Sequence, residues 1–336
     1  MNDIINSRRR RLALGGGAVA GAAGLGLGSA LLSPSAMAQG LSTRPVRMIL
    51  GQTAGTTPDL LARALAPRLQ QKWNQPFLVE NRGGAGGAIG MDAVAKAAPD
   101  GHTITINVNS TLTLPHFFKI DFDVVKSFTP IGLIASNIFA LAIHPSVPAN
   151  NYREFNDWVK KQGGTVNYGS PGNGTHHHMI MESLKLRSGM QMTHIPYKGS
   201  APAFTDLMGG QISAMFVPMG AAIGMARAGK VRILGGSGRD RSPLTPEIPS
   251  LHEQGVKDFH FDAWFAVWGP LGLPADIVRR YNAVFREVLA DPEVRELLAK
   301  QGTSVVTSTP EELDRLNREE FEKLSKLIKD AGIKGD

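Results

Sequence analysis

The 336-residue chain has no cysteine, which excludes a disulfide scaffold and any thiolate metal site. Aromatic residues are scarce at 7% and charged residues make up 19%, while 42% of the chain is apolar. That apolar share is near the average for globular chains. It excludes a disordered chain and suffices for one large domain or two ordinary ones. Glycine, at 38 residues, is over-represented and favours many short turns between short elements.

Basic runs are missing as well. The formal charge of +7 comes from 36 basic and 29 acidic residues, and Arg8–Arg11 with Asp3 place +3 of it in the first 38 residues. Beyond the first dozen residues no basic run exceeds two, so the stripe or arm of a nucleic-acid binder is absent. The mild remaining positive charge helps to draw in small anions.

The motifs of common chemistries fail one by one. Asn81–Gly90 follows a strand pattern and precedes a helix, yet G-x-G-x-x-G breaks at Ile89 after Gly84 and Gly86. A tight structural turn is the better reading. His252-Glu253 has Val256 where H-E-x-x-H needs its second histidine, and Gly236-Ser237-Gly238 lacks the spacing of G-x-S-x-G. His176-His177-His178 opens a helix, where adjacent side chains diverge by about 100°. One imidazole is expected inward and two solvated. No metal and no cofactor are expected.

The N-terminus reads as an export signal. Arg8–Arg11 precede an apolar, glycine-rich stretch over 12–32, and Ala36-Met37-Ala38 forms an A-x-A cleavage site before Gln39. Arg9–Leu12 also fits the twin-arginine pattern. The expected location is the periplasm.

Strand and helix patterns alternate through the rest. Val46–Leu50, Phe77–Glu80 and Thr103–Val108 read as strands, with helices from Thr57 (N-cap, before Pro58 and Asp59) and over 88–98. A second set has strands at 139–143, 165–169, 192–197, 212–217 and 231–234, with helices between them; 263–268 is one more strand, and the tail is mostly helical. This predicts a two-lobed α/β chain. The first domain is 42–137 plus 269–336 and the second 138–268, joined by Phe139–Ile143 and Ala263–Trp268 as hinge strands. Trp264 and Trp268 would then report closure or sit in a core.

Small-residue loops run into helix N-termini at Gln52–Thr57, Ser170–Thr175 and Lys198–Ser200. Such termini present unpaired N–H groups and the positive end of the helix dipole, so they bind anions without Arg or Lys. One loop per lobe facing a shared cleft makes a carboxylate clamp. Gly174→Val is expected to block it and leave the fold intact.

At these residues the chain resembles a known family. Pro45-Val46-Arg47, Asn81–Gly90, Pro99–Thr103, Tyr168–Thr175, His194–Ala203, Asp206–Gln211, Ala228–Arg232, Asp291–Val294 and Ala331–Lys334 are similar, in order, to the tripartite tricarboxylate transporter substrate-binding proteins, also called the Bug family. The resemblance implies a two-domain binding protein of the type II periplasmic fold. It also implies a small organic carboxylate in the interdomain cleft and delivery to membrane permease subunits, by a monomer. The candidate ligand-binding set is Gln52, Thr53, Gly55, Thr56, Asp59, Asn109, Ser110, Ser170, Gly172, Asn173, Gly174, Thr175, Ser200 and Asp262. The chain departs from the family at Gly51–Gly55, Val217, Asp262 and two of His176–His178, all near the inferred cleft. Two other classes share the scaffold: a hydrolase or isomerase, with only His178, Asp59 and Asp262 as candidate groups, and a sensor subunit.

Overall fold

The computed structural model describes residues 44–242 and 245–333; the export signal expected over 1–38 lies outside the described residues. The chain begins with β1 (Val46–Leu50), α1 (Thr57–Trp73), β2 (Phe77–Asn81), α2 (Ala88–Ala95) and β3 (Thr103–Val108). A 3-10 turn at Asn109–Thr113, the short α3 (Leu114–Phe117) and β4 (Phe128–Asn137) follow. The second lobe runs through β5 (Phe139–Ile143), α4 (Tyr152–Lys161), β6 (Asn167–Ser170), α5 (His176–Ser188), β7 (Thr193–Pro196), α6 (Ser200–Met208), β8 (Ala214–Pro218), α7 (Met219–Arg227) and β9 (Arg232–Gly236). The chain then returns with β10 (Ala263–Pro270), α8 (Ala275–Ala290), α9 (Pro292–Lys300), β11 (Ser304–Val305) and α10 (Pro310–Asp330).

Two sheets result, ordered β11-β4-β10-β3-β1-β2 and β7-β6-β8-β5-β9. β1 lies parallel to β2 and β3, and β6 parallel to β7 and β8, which is what strand–helix–strand connections produce. Helices cover both faces of the first sheet, so all six residues of β3 are buried. Leu61, Leu65 and Leu69 recur at helical spacing and bring one stripe of α1 into that core, each fully buried. Each such leucine contributes roughly 1.5–3 kcal/mol by leaving water.

The register fixes which ends of the strands meet. Phe265 lies opposite Val108 and Ala263 opposite Asn137, so β3 and β4 end where β10 begins. In the other sheet Phe139 faces Pro218 and Ala140 faces Gly236, so β8 and β9 end where β5 begins. Only Ile138 separates β4 from β5. The chain therefore passes from the carboxyl edge of one sheet straight into the carboxyl edge of the other. Those two edges face each other.

Three sequence expectations are adjusted. The sequence predicts no strand between Val108 and Phe139, yet the ten residues of β4 form a full strand beside β10. The two strands expected as hinges each belong whole to one sheet: Phe139–Ile143 is β5, between β8 and β9, and β10 lies between β3 and β4, where all eight of its residues are buried. The return crossing lies in the coil before it. Trp264 and Trp268, 8% and 5% exposed, are core residues of that sheet.

Candidate functional site

Open α/β sheets bind ligands at the carboxyl ends of their strands, where the loops lead into helix N-termini. Here both such edges meet across the Ile138 passage. On the first lobe the edge carries the 51–57 loop, Asn109, Asn137 and Asp262. On the second it carries the Ser170–Thr175 loop and the Tyr197–Ser200 turn.

The first loop is held from below. Asp59, 3% exposed, accepts from the Gly55 N–H at 2.9 Å and from Arg63 Nε at 2.9 Å. Burial pushes its carboxyl up, but the guanidinium and the backbone N–H outweigh that and hold it below the ordinary range. The Gln52 carbonyl accepts from Asn81 Nδ2 at 3.2 Å. The glycine-rich turn is the loop's packing partner: a side chain on Gly90 would meet Gly51 Cα at 2.6 Å, so the turn has a structural role.

Thr56, not Thr57, is the N-cap of α1, with extended backbone suited to capping. Its hydroxyl nevertheless turns back to the Thr53 carbonyl at 2.7 Å and caps no helical N–H. The second lobe repeats the device. Thr175, the N-cap of α5, donates its hydroxyl to the Gly172 carbonyl at 2.7 Å and also caps nothing. Gly199 precedes α6 and has no side chain to offer, while its N–H donates to the Pro171 carbonyl at 3.0 Å.

Helices that start away from this edge differ. α4 is capped by Asn151, α9 by Asp291, and α10 by Thr309 in a capping box with Glu312. α8, which follows Pro274, has no side-chain cap.

The rest of the Ser170 loop is tied inward. Ser170 Oγ lies 2.6 Å from His194 Nε2, donates to the Gly172 carbonyl at 2.9 Å and accepts from the Gly172 N–H at 3.1 Å. The Gly174 N–H donates to His178 Nδ1 at 3.1 Å, and the Gly174 carbonyl accepts from Thr113 Oγ1 of the first lobe at 3.0 Å. A side chain on Gly174 would meet the Phe117 ring at 2.6 Å and would need a backbone φ of +71°. Gly174→Val therefore strains the fold, against the sequence expectation, and is no clean probe of binding. Asn173 and Ser200 are half-buried on the same edge, and Ser110 follows Asn109 on the other.

The three histidines are more buried than the sequence suggested. His176 and His178 are each 3% exposed, and His177 is half-buried. His176 packs between Phe139 and Phe261; His178 stacks on His194 with centroids 3.9 Å apart. Burial lowers His176 well below its ordinary value, His177 to about 3, and His178, with the Lys185 charge adding, to about 4. Behind them Tyr168 hydrogen-bonds Glu182, which Lys185 pairs at 2.6 Å. The helix is buried on every side from His178 to Leu184, Glu182 and Ser183 included, so its mixture of polar and apolar residues does not mark which face meets solvent. Among the described residues no group of His, Asp and Glu could hold a metal ion.

The first lobe holds polar atoms that sequence reasoning could not rank. Asn109 is fully buried and donates Nδ2 to the Asp262 carbonyl at 3.3 Å and to Glu320 Oε1 at 3.4 Å, leaving Oδ1 without a partner. Asn137 donates to Thr57 Oγ1 at 3.5 Å, and its Oδ1 is likewise unpartnered. Asp262 Oδ2 pairs with His260 Nε2 at 3.1 Å, while Oδ1 is buried and unpartnered. The sequence does not single out Asn137. Its only signal is its place at the end of β4, which required β4 to be recognised as a strand.

A separate groove of about 850 Å³ lies on the first lobe beside α10, lined by Phe118, Phe122, Arg318 and Phe321 among others. It contains none of the candidate residues.

Comparison with known proteins gives consistent relatives. Residues 61–333 match the model of the tripartite tricarboxylate transporter family receptor. The chain is 31% identical to Protein BugT of Bordetella pertussis over 314 residues, 93% of this chain and 96% of that protein. Among solved structures it is similar to R. palustris Rpa4515 with adipate, at TM-score 0.82 and 29% identity over 88% of this chain and 99% of that one. It is also similar to MatC from Rhodopseudomonas palustris with bound malate, at TM-score 0.77 and 28% identity over 85% and 99%.

Proposed function

The chain belongs to the tripartite tricarboxylate transporter receptor family, and on that premise we propose that it captures a small organic carboxylate in the periplasm and delivers it to the membrane permease of such a transporter. Family membership makes it a solute-binding receptor and not an enzyme. The carboxylate lies between the facing carboxyl edges, held by the uncapped N-termini of α1 and α5 and by the Tyr197–Ser200 turn. The lobes that serve this reading are 42–137 with the segment from β10 onward, and 138 to the coil before β10. A monomer suffices, because each chain carries both edges.

One observation carries the reading. The edge threonines Thr56 and Thr175 stand in capping position yet turn their hydroxyls away, whereas α4, α9 and α10 are capped by their own side chains. The uncovered N–H groups and dipole ends suit an external carboxylate. The structures with adipate and malate support that ligand class.

Thermal-shift screening of the purified protein against mono-, di- and tricarboxylates and aromatic acids tests it. A true ligand at 100 times its dissociation constant adds about 2.7 kcal/mol of stability. A flat response across all carboxylates would remove the reading.

A further inference from the structure

Among the described residues, the edge of the first lobe bears three buried acceptors without a partner, the Oδ1 atoms of Asn109, Asn137 and Asp262, and the first and last belong to neighbouring residues. Asn109 Oδ1 belongs to a fully buried side chain whose amide nitrogen is already engaged by the Asp262 carbonyl and Glu320. Asp262 Oδ1 is covered, although the Asp262 side chain as a whole is 27% exposed and its other oxygen pairs with His260. The bond from Asn109 Nδ2 to the Asp262 carbonyl makes the two residues immediate neighbours. The nearby cations do not complete the set: Lys323 pairs with Glu320 at 3.3 Å and lies over the Phe261 ring, and His260 is held on Oδ2.

Buried acceptors without donors are costly, so the partner that completes them is a donor. A ligand carboxylate cannot be that partner, because it has only acceptors and would face the Asp262 charge. We infer that the ligand carries a hydrogen-bond donor, a hydroxyl or ammonium group beside a carboxylate, and that Asp262 with Asn109 reads that donor. The inference rests on the receptor reading above and sharpens it from carboxylates in general to hydroxy- or amino-carboxylates. The carboxylates themselves go to the helix N-termini, and the donor group turns toward β10.

The test is a matched series in calorimetric titration of the full chain: succinate, malate and aspartate, which differ only in hydrogen, hydroxyl or ammonium at one carbon. Glutarate, 2-hydroxyglutarate and glutamate repeat it one carbon longer. The wild-type protein should bind the hydroxy or amino member about 10- to 100-fold more tightly than the plain diacid. The hydroxy and amino arms identify the donor. Asp262→Ala should collapse that ratio toward one. Asp262→Asn, which keeps the shape and an acceptor, should preserve part of a hydroxyl preference and lose an ammonium preference. Plain diacids binding as tightly as their substituted partners, or an unchanged ratio in a folded Asp262→Ala protein, would overturn the assignment and leave the receptor reading intact. No binding by any carboxylate would overturn the receptor reading itself.

Discussion

The two facing edges are built from the same parts and use them differently. On the second lobe the loop groups bond one another: Ser170 to His194 and Gly172, Thr175 to Gly172, Gly174 to His178. On the first lobe, Asn109, Asn137 and Asp262 each keep one buried polar atom unpartnered. On the second-lobe edge the unpartnered buried atoms are the ring nitrogens of His176 and His177, packed among aromatic rings, whereas on the first they are amide and carboxylate oxygens at the strand ends. In the proposed reading the helix N-termini of both lobes take the common carboxylate, and discrimination among carboxylates falls to the first lobe.

Acid gives the largest separation between them. His176, His177 and His178 all sit on α5 of the second lobe and are held neutral by burial. In the unfolded chain they titrate near 6.5, so from that pH down toward about 4 the unfolded state binds protons that the native state refuses. Stability is full above pH 6.5 and falls below it, by roughly 1.4 kcal/mol per pH unit for each such histidine. His116 on the first lobe, lowered by burial, adds in the same sense. His178→Asn, whose side-chain oxygen can still accept from the Gly174 N–H, should flatten the slope by one histidine's share in denaturant melts between pH 6.5 and 4. An unchanged slope would show that His178 is not kept neutral by the fold.

A smaller effect tests the uncapped termini on both lobes. Thr56→Asp and Thr175→Asp each supply α1 or α5 with its own carboxylate cap. Each should raise stability by about 0.5–1 kcal/mol in the absence of ligand and weaken carboxylate binding about tenfold. A variant that gains stability but keeps full affinity removes that lobe from the anion site.

The alternation of strands and helices was legible because hydrophobic periodicity is local. The strand runs from Val46 to Val108 fall within a residue or two of their places, and the loops that reach the edges were found from their glycines and hydroxyl residues. What stayed hidden depended on pairing. Phe128–Asn137 contains Pro130 and Gly132 and has no clean alternation, so only its two-sided pairing with β10 and β11 reveals a strand. Ala263–Pro270 is apolar enough for a core strand, but its sheet is set by partners more than 120 residues away. Within the candidate set, residue type pointed to hydroxyls and glycines as donors, and the structure turns several of them inward. Gly55, for instance, gives its N–H to Asp59, four residues along. Which polar atom lacks a partner is a property of the assembled edge and has no signature in the sequence.

The central claim is that the ligand lies between the two carboxyl edges, and a crystal structure of the protein with its tightest carboxylate tests it most directly. The account predicts the carboxylate at the N-termini of α1 and α5, with the donor group of the ligand against Asp262 and Asn109. A ligand seated instead in the groove beside Phe118, Phe122 and Arg318, with the facing edges untouched, would contradict it.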